Sequence, residues 1–387
     1  MKSHLVACVL WLAPFSALAA AQEELDAPPP SIDVALSHDT GPVANTTGTP
    51  QVVISFPVNV HGSPWMRLHF SEIELAGDPA LGTASILRLT STTDAEVQEL
   101  DSRGVRQWSK SSAYFNGDTV LVEVLAMPGS GANRLVLEHV TAGLAPQGGV
   151  DAACGTDVRI ASLDGRGGRL MPAGCTAWMI SDCKTCFLSA GHCVGSNMVV
   201  QFNVPLSTSG GGLVNPPVED QFPVDGASLQ FQNAGVGFDW AYFGGMTNNL
   251  GETPLQHQLA RWGTSATPPF NNQHVIRVTG YGVDVGAANQ TQQTITGLWT
   301  NLSSNFLNFS TYVEGGNSGS PAIHEPTGTA IGIVTHTSCI NSTTQQNYGT
   351  RLTQAGLLAA LANPLGVCAG GPCSAPGVNF CTTGPSM

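Results

Sequence analysis

The chain has 387 residues, enough for two globular units, and a hydrophobic fraction of 42% supports packed cores rather than disorder. Only 11% of residues are charged, 27 acidic against 14 basic, and the formal net charge of −13 argues against nucleic acid or an anionic membrane as partner. The 45 glycines, with few long amphipathic runs, point to short strands joined by turns and so to an all-β chain.

At the N-terminus Lys2 precedes the apolar residues 5–15, followed by Ala17-Leu18-Ala19-Ala20-Ala21 and the polar Gln22-Glu23-Glu24. This is the layout of a secretory signal, residues 1–21, and the expected location is secreted, extracellular or periplasmic. Cys8 lies too early in the apolar run for a lipid anchor, and no later segment approaches the length of a membrane span. Ten cysteines fit an oxidising destination, and the nine left after Cys8 departs with the signal leave one free or intermolecular.

Residues 22–50, with Pro28-Pro29-Pro30, read as an extended lead-in rather than a packed element. Strand signals follow at residues 52–60, 65–75, 86–90 and 135–140. Ala113-Tyr114-Phe115, Asn116-Gly117 and residues 119–125 predict a hairpin, because Asn-Gly suits the positive φ values of a type I′ turn. Residues 51–140 are thus expected to form a β-sandwich-like domain. It carries no catalytic constellation: His61, His69 and His139 stand apart among strand residues and read as structural or surface groups. It is either a propeptide that assists folding or inhibits in cis, or a retained accessory domain. The Gly/Ala/Pro passage at 141–153 reads as an exposed linker and a processing site.

The second half, residues 154–365, opens at Cys154. Cys175-Thr176-Ala177-Trp178-Met179-Ile180 reads as a strand, Cys183-Lys184-Thr185-Cys186 as a tip, and Phe187-Leu188-Ser189-Ala190-Gly191-His192-Cys193 as the return. A Cys pair, Cys183 and Cys186, lies across the tip, and Cys175 with Cys193 could staple the histidine loop to the strand before it. A single Cys-x-x-Cys near a histidine also raises zinc or redox chemistry, but it lacks a matching second pair, so no metal or cofactor is expected. Asp239 heads the apolar run Asp239-Trp240-Ala241-Tyr242-Phe243, which buries its carboxylate where it can accept a hydrogen bond from an imidazole. Asp225, before Gly226, reads instead as a turn residue. In Glu314-Gly315-Gly316-Asn317-Ser318-Gly319-Ser320-Pro321, glycines on both sides of Ser318 expose its hydroxyl and leave backbone N–H groups free to face a developing oxyanion.

The ordered motifs around His192, Asp239 and Ser318 resemble those of the trypsin/chymotrypsin-like serine peptidases. The resemblance implies a chymotrypsin-like double β-barrel, with residues 332–336 as the strand that pairs with substrate, residues 347–352 closing the pocket, and residues 353–362 as a final helix. It implies an endopeptidase with Ser318 as nucleophile, His192 as general base, Asp239 orienting the imidazole, and the backbone N–H groups of Gly316 and Ser318 as oxyanion hole. A protein that binds peptides without cleaving them is the alternative. Asn317 stands where trypsin-like zymogens use an Asp to pair with a new N-terminal amine, so activation is expected by removal of the N-terminal region. The closest likeness is to secreted bacterial lysyl and glutamyl endopeptidases, and by that likeness Cys154 pairs with Cys339. Neither branch's charge selectivity transfers: the lysyl position matches Gln346, and the glutamyl position matches Val334, with His336 out of register. Tyr312, Glu314, Thr335, His336 and Thr337 are the candidates for the substrate pocket, Glu314 either pointing into it or lying solvated on the loop. The expected partners are protein or peptide substrates, and the protein is expected to be a monomer. Residues 366–387, with Cys368, Cys373 and Cys381, read as a disulfide-tied or flexible extension whose pairing stays open.

Overall fold

A computed structural model describes residues 23–24, 27–145, 154–182, 184–265, 275–341 and 344–370. The expected signal, most of the linker, Cys183, Cys373 and Cys381 lie outside them.

Residues 31–143 build two antiparallel sheets. One is ordered Ser31–Asp39, Ala132–Gly143, Trp65–Glu74, Phe115–Asn116, and the other Gln51–Asn59, Thr119–Ala126, Ile86–Ser91, Val97–Leu100. Thr119–Ala126 shows why they pack: its sequence Thr-Val-Leu-Val-Glu-Val-Leu-Ala alternates, so Val120, Val122, Val124 and Ala126 all point inward. The three valines meet Leu68, Leu87, Leu89, Leu135 and Leu137 in one core, each such side chain contributing about 1.5–3 kcal/mol on burial.

Two expectations change here. The lead-in contains a nine-residue strand, Ser31–Asp39, paired with Ala132–Gly143, so the sheet begins well before residue 51. Its side chains are mostly exposed, which leaves an edge strand without the alternating apolar signal of a half-buried one. Nor does Asn116-Gly117 close a hairpin. Phe115–Asn116 pairs with Trp65–Glu74, whereas Thr119–Ala126 pairs with Gln51–Asn59 and Ile86–Ser91 in the other sheet. Only Gly117 of the pair has positive φ, 88°, so the turn carries the chain between sheets instead of folding it back.

Residues 154–370 form the expected double β-barrel. A seven-stranded sheet in the order Gln221–Pro223, Val199–Gln201, Gly167–Met171, Cys175–Met179, Phe187–Ser189, Asp239–Phe243, Gln230–Asn233 curls into a half-barrel. Cys175–Met179 and Phe187–Ser189 form the expected hairpin, with Trp178 opposite Leu188. The second barrel closes: Thr329–Asn341, Pro321–His324, Val275–Gly280, Gln293–Leu302, Phe306–Ser310 and Thr344–Arg351 run in that order, and the last pairs back onto the first. The final helix is Ala355–Ala362, capped by the Gln354 side chain, which accepts from Leu357 N.

The N-terminal sheets rest on the half-barrel. Their core continues into Met171, Val199, Leu213 and Val218. Polar contacts fix the register: Arg67 Nη1 donates to Asn197 O at 2.6 Å, and Gln221 exchanges two 2.9 Å bonds with the backbone of Tyr114.

Three disulfides join described residues: Cys154–Cys339, Cys175–Cys193 and Cys186–Cys368. The last corrects the pairing of Cys183 with Cys186 across the hairpin tip. Asp182 Oδ1 accepts from Cys186 N at 3.0 Å, and Cys186, 2% exposed, lies in the core that also holds Cys368.

Candidate active site

The barrels meet around Ser318. His192 sits in the one-turn helix Gly191–Cys193, held from behind by the Cys175–Cys193 bridge. Asp239 begins a wholly buried strand, and its own carboxylate is fully buried. An isolated buried carboxylate is costly, so its hydrogen bonds must compensate. Oδ1 accepts from the backbone N–H groups of Gly191 at 2.6 Å and His192 at 3.0 Å, while Oδ2 lies 2.6 Å from His192 Nδ1. Thr350, which the sequence did not signal, braces the same residue: its hydroxyl donates to Asp239 O at 2.7 Å.

The other ring nitrogen, His192 Nε2, lies 2.7 Å from Ser318 Oγ. A carboxylate at Nδ1 favours an N–H on that nitrogen, which leaves the Nε2 lone pair facing the Ser318 hydroxyl.

The loop that carries Ser318 is tied by its own residues. Asn317 N donates to Glu314 O and Asn317 Oδ1 accepts from Glu314 N, both at 3.0 Å, so the neutral amide clasps the turn. Gly316 has φ +91°, and a Cβ there would lie 2.4 Å from Tyr281 O, so only glycine fits. Among the described residues neither Gly316 N nor Ser318 N donates a hydrogen bond.

The pocket candidates divide. Thr335 O lies 3.2 Å from Ser318 Oγ, at the site. Thr337 donates to Asn347 Oδ1 at 2.7 Å, and Asn347, wholly buried, donates to Thr311 O at 2.6 Å. Gln345 makes two bonds to the backbone of Val313. These side chains are polar and uncharged. Glu314 settles as neither a solvated loop acid nor a free pocket charge: it is 5% exposed and accepts a hydrogen bond from the Tyr312 hydroxyl. Burial and that carboxylate push the Tyr312 pKa up.

His336 stands against His192 and Asp239. Its ring meets that of His192 edge-on at 6.0 Å, and its Nδ1 is 3.8 Å from Asp239 Oδ2. Burial lowers its pKa, against the pull of Asp239, so it is held neutral beside the catalytic-type pair. Cys175, His192 and Cys193 lie close enough to suggest a metal site, but the two sulfurs are bonded to each other and offer no thiolate.

No protein-family description matches the sequence, and no curated protein matches it. Solved structures do. A thermostable serine protease, AL20, from an extremophilic microorganism is 18% identical at TM-score 0.39, covering 52% of this chain and 99% of its own. A Glu endopeptidase is 17% identical at TM-score 0.40, over 54% and 97%. HBP is 12% identical at TM-score 0.41, over 54% and 95%. The chain's own topology, a closed six-stranded barrel beside a half-barrel, is what the structure shows.

Proposed function

We propose that the protein is a secreted serine endopeptidase that hydrolyses peptide bonds through an acyl-enzyme. The observation that carries this is the continuous relay from buried Asp239 through His192 to Ser318, at 2.6 and 2.7 Å. A groove that only holds peptides has no need of a buried carboxylate aimed at an imidazole.

In the proposed reaction Ser318 Oγ attacks the scissile carbonyl as His192 Nε2 takes its proton. Asp239 stabilises the imidazolium, and Gly316 N–H and Ser318 N–H receive the oxyanion. The imidazolium then protonates the leaving amine, and a water activated by His192 hydrolyses the ester. Tyr312, Thr335, His336 and Thr337 line the substrate side, whose uncharged wall favours a neutral residue before the scissile bond.

Export by residues 1–21 and inhibition in cis by the N-terminal region belong to the same reading. The three disulfides support an oxidising destination. No helix among the described residues is long and apolar enough to cross a membrane. The test is labelling by a fluorophosphonate after removal of the N-terminal region: the adduct should map to Ser318, and a folded protein that stays unlabelled would end the proposal.

A further inference from the structure

A short motif occurs twice just ahead of Gly167–Met171, and its two copies reach different things. Asp157-Val158-Arg159 and Asp164-Gly165-Arg166 each place an arginine two residues after an acid. In both, the arginine N–H donates to that carboxylate, at 2.9 and 3.1 Å, and the guanidinium folds back onto it at 2.6 Å. Each guanidinium also lies over an aromatic ring: Arg159 over Tyr312 at 5.4 Å, Arg166 over Trp262 at 4.4 Å.

The likeness ends on the far side. Among the described residues the Arg166 guanidinium bonds only Asp164, and its side chain stays 29% exposed. The Arg159 side chain is 2% exposed; its Nη2 donates to Val283 O at 2.7 Å and lies 3.7 Å from Asp284 Oδ2. Val283 in turn donates its N–H to Gly315 O at 2.7 Å. Tyr281, Gly282 and Val283 form a shelf under the nucleophile loop: a Cβ on Gly316 would come within 2.4 Å of Tyr281 O and 3.3 Å of Gly282 Cα. Gly282 is pinched in the same way. A Cβ there would lie 2.3 Å from Arg159 Nη1 and 2.5 Å from Asn317 Oδ1, so the guanidinium and the loop amide converge on one backbone position. Nη1 is buried without a hydrogen-bond partner among the described residues, a costly arrangement that the two acids and the Val283 carbonyl offset. The ring under Arg159 leads to the loop as well: the Tyr312 hydroxyl donates to Glu314, and Glu314 N donates to Asn317 Oδ1 at 3.0 Å.

We propose that Arg159 is a positioning residue: it fixes the shelf and the Tyr312 ring, and so holds the Gly316 N–H where a developing oxyanion meets it. It touches no reacting atom. A donor aimed at an oxyanion is effective because it is fixed before the charge develops. Gly316, at φ +91° and without a side chain, cannot supply that rigidity itself. The brace belongs to the barrels and not to the sandwich. Cys154, bonded to Cys339, staples the segment ahead of it, and Ile160–Ala161 behind it pairs with Thr294 and Gln293. A cut before Cys154 would leave it in place.

The oxyanion role rests on the hydrolase reading, whereas the brace can be read without turnover. Arg159→Ala and Arg166→Ala are made in the full chain and compared with wild type by hydrogen exchange and by fluorophosphonate labelling, the latter also after a cut in the linker. Arg159→Ala should lower the protection of the Val283, Glu314 and Asn317 amides, each of which donates in the native loop. It should slow labelling of Ser318 by about a hundredfold. On a fluorogenic peptide with a neutral residue before the scissile bond, kcat should fall with KM little changed. Arg166→Ala, which loses the same kind of ion pair and the same stacking, should leave these amides and the labelling rate at wild-type values. Equal effects of the two substitutions, or unchanged protection in Arg159→Ala, overturn the inference. So does labelling of Arg159→Ala at the rate of a labelled wild type, or an effect confined to KM. Wild type that is never labelled, with protection lost in Arg159→Ala alone, removes the hydrolase reading and leaves the brace. If Arg159→Ala does not fold, Arg159→Lys, which keeps the charge but not the planar fork, is read by the same outcomes.

Discussion

Two histidines of this chain are each held by carboxylate, and they are built for opposite purposes. His192 has an acid on Nδ1 and the Ser318 hydroxyl on Nε2. His257, on the helix Pro254–Gln258, has acids on both nitrogens: Glu252 and Asp220, each at 2.8 Å. At His192 one carboxylate leaves the second nitrogen to a hydroxyl; at His257 carboxylates face both nitrogens and favour the charged form. Burial works against the charge on His257, but the two carboxylates outweigh it and raise its pKa. The difference lies in what occupies the second nitrogen, not in burial or proximity to acid.

The sharpest way to break the comparison is to remove the hydroxyl. Ser318→Ala should lower kcat by about a millionfold with the thermal midpoint nearly unchanged, measured on a peptide substrate. Asp239→Asn comes next. It keeps the shape but favours the wrong imidazole tautomer, and kcat should fall by about ten thousandfold at neutral pH.

His257→Gln should leave Ser318 labelling intact and cost on the order of 1 kcal/mol of stability, after allowance for solvent screening. The pH dependence carries the sign. A raised folded pKa means that the contribution is fully present below the unfolded value near 6.5 and fades as pH rises through the folded value. The gap in Tm between wild type and variant should therefore close on the alkaline side; a constant gap would show that His257 is not held as a cation.

His69 supplies the opposite sign. It stacks on His139 at 4.4 Å, with Ser111 and Thr141 hydroxyls each 3.0 Å from a ring nitrogen. Burial, then the Arg67 charge, push its pKa down to about 3. Its contribution is present above pH 6.5 and is lost as pH falls toward 3, because the unfolded chain binds the proton first. Protection factors of the Trp65–Glu74 amides, taken against the intrinsic exchange rate at each pH, should fall with acid over that window, and His69→Gln should flatten the response.

What could be read from the sequence follows contact range. The hairpin leading to His192, the head of the Asp239 strand and the glycines around Ser318 are each written in a few adjacent residues. The Cys175–Cys193 bridge spans only 18. The Cys186–Cys368 bridge spans 182, and nothing near Cys186 names its partner. For Glu314 the sequence leaves pocket acid and solvated loop acid both open, because its burial depends on Tyr312 and on a barrel closed by distant strands. Asn116-Gly117 carried a true turn signal, but a turn signal does not say which sheet receives the next strand. Ser31–Asp39 is silent for the converse reason: an exposed edge strand has no apolar face to advertise.

The core shared by the sandwich and the half-barrel bears on what proteolysis of the connecting residues would accomplish. Met171, Val199, Leu213 and Val218 are at most 6% exposed because the sandwich covers them. Cutting the chain between the two parts leaves that apolar contact in place, so the pieces should co-purify as a nicked pair. Stripping the sandwich away would bare a sticky face and invite self-association. Solubility, as much as activity, then becomes the measure of whether the two parts separate.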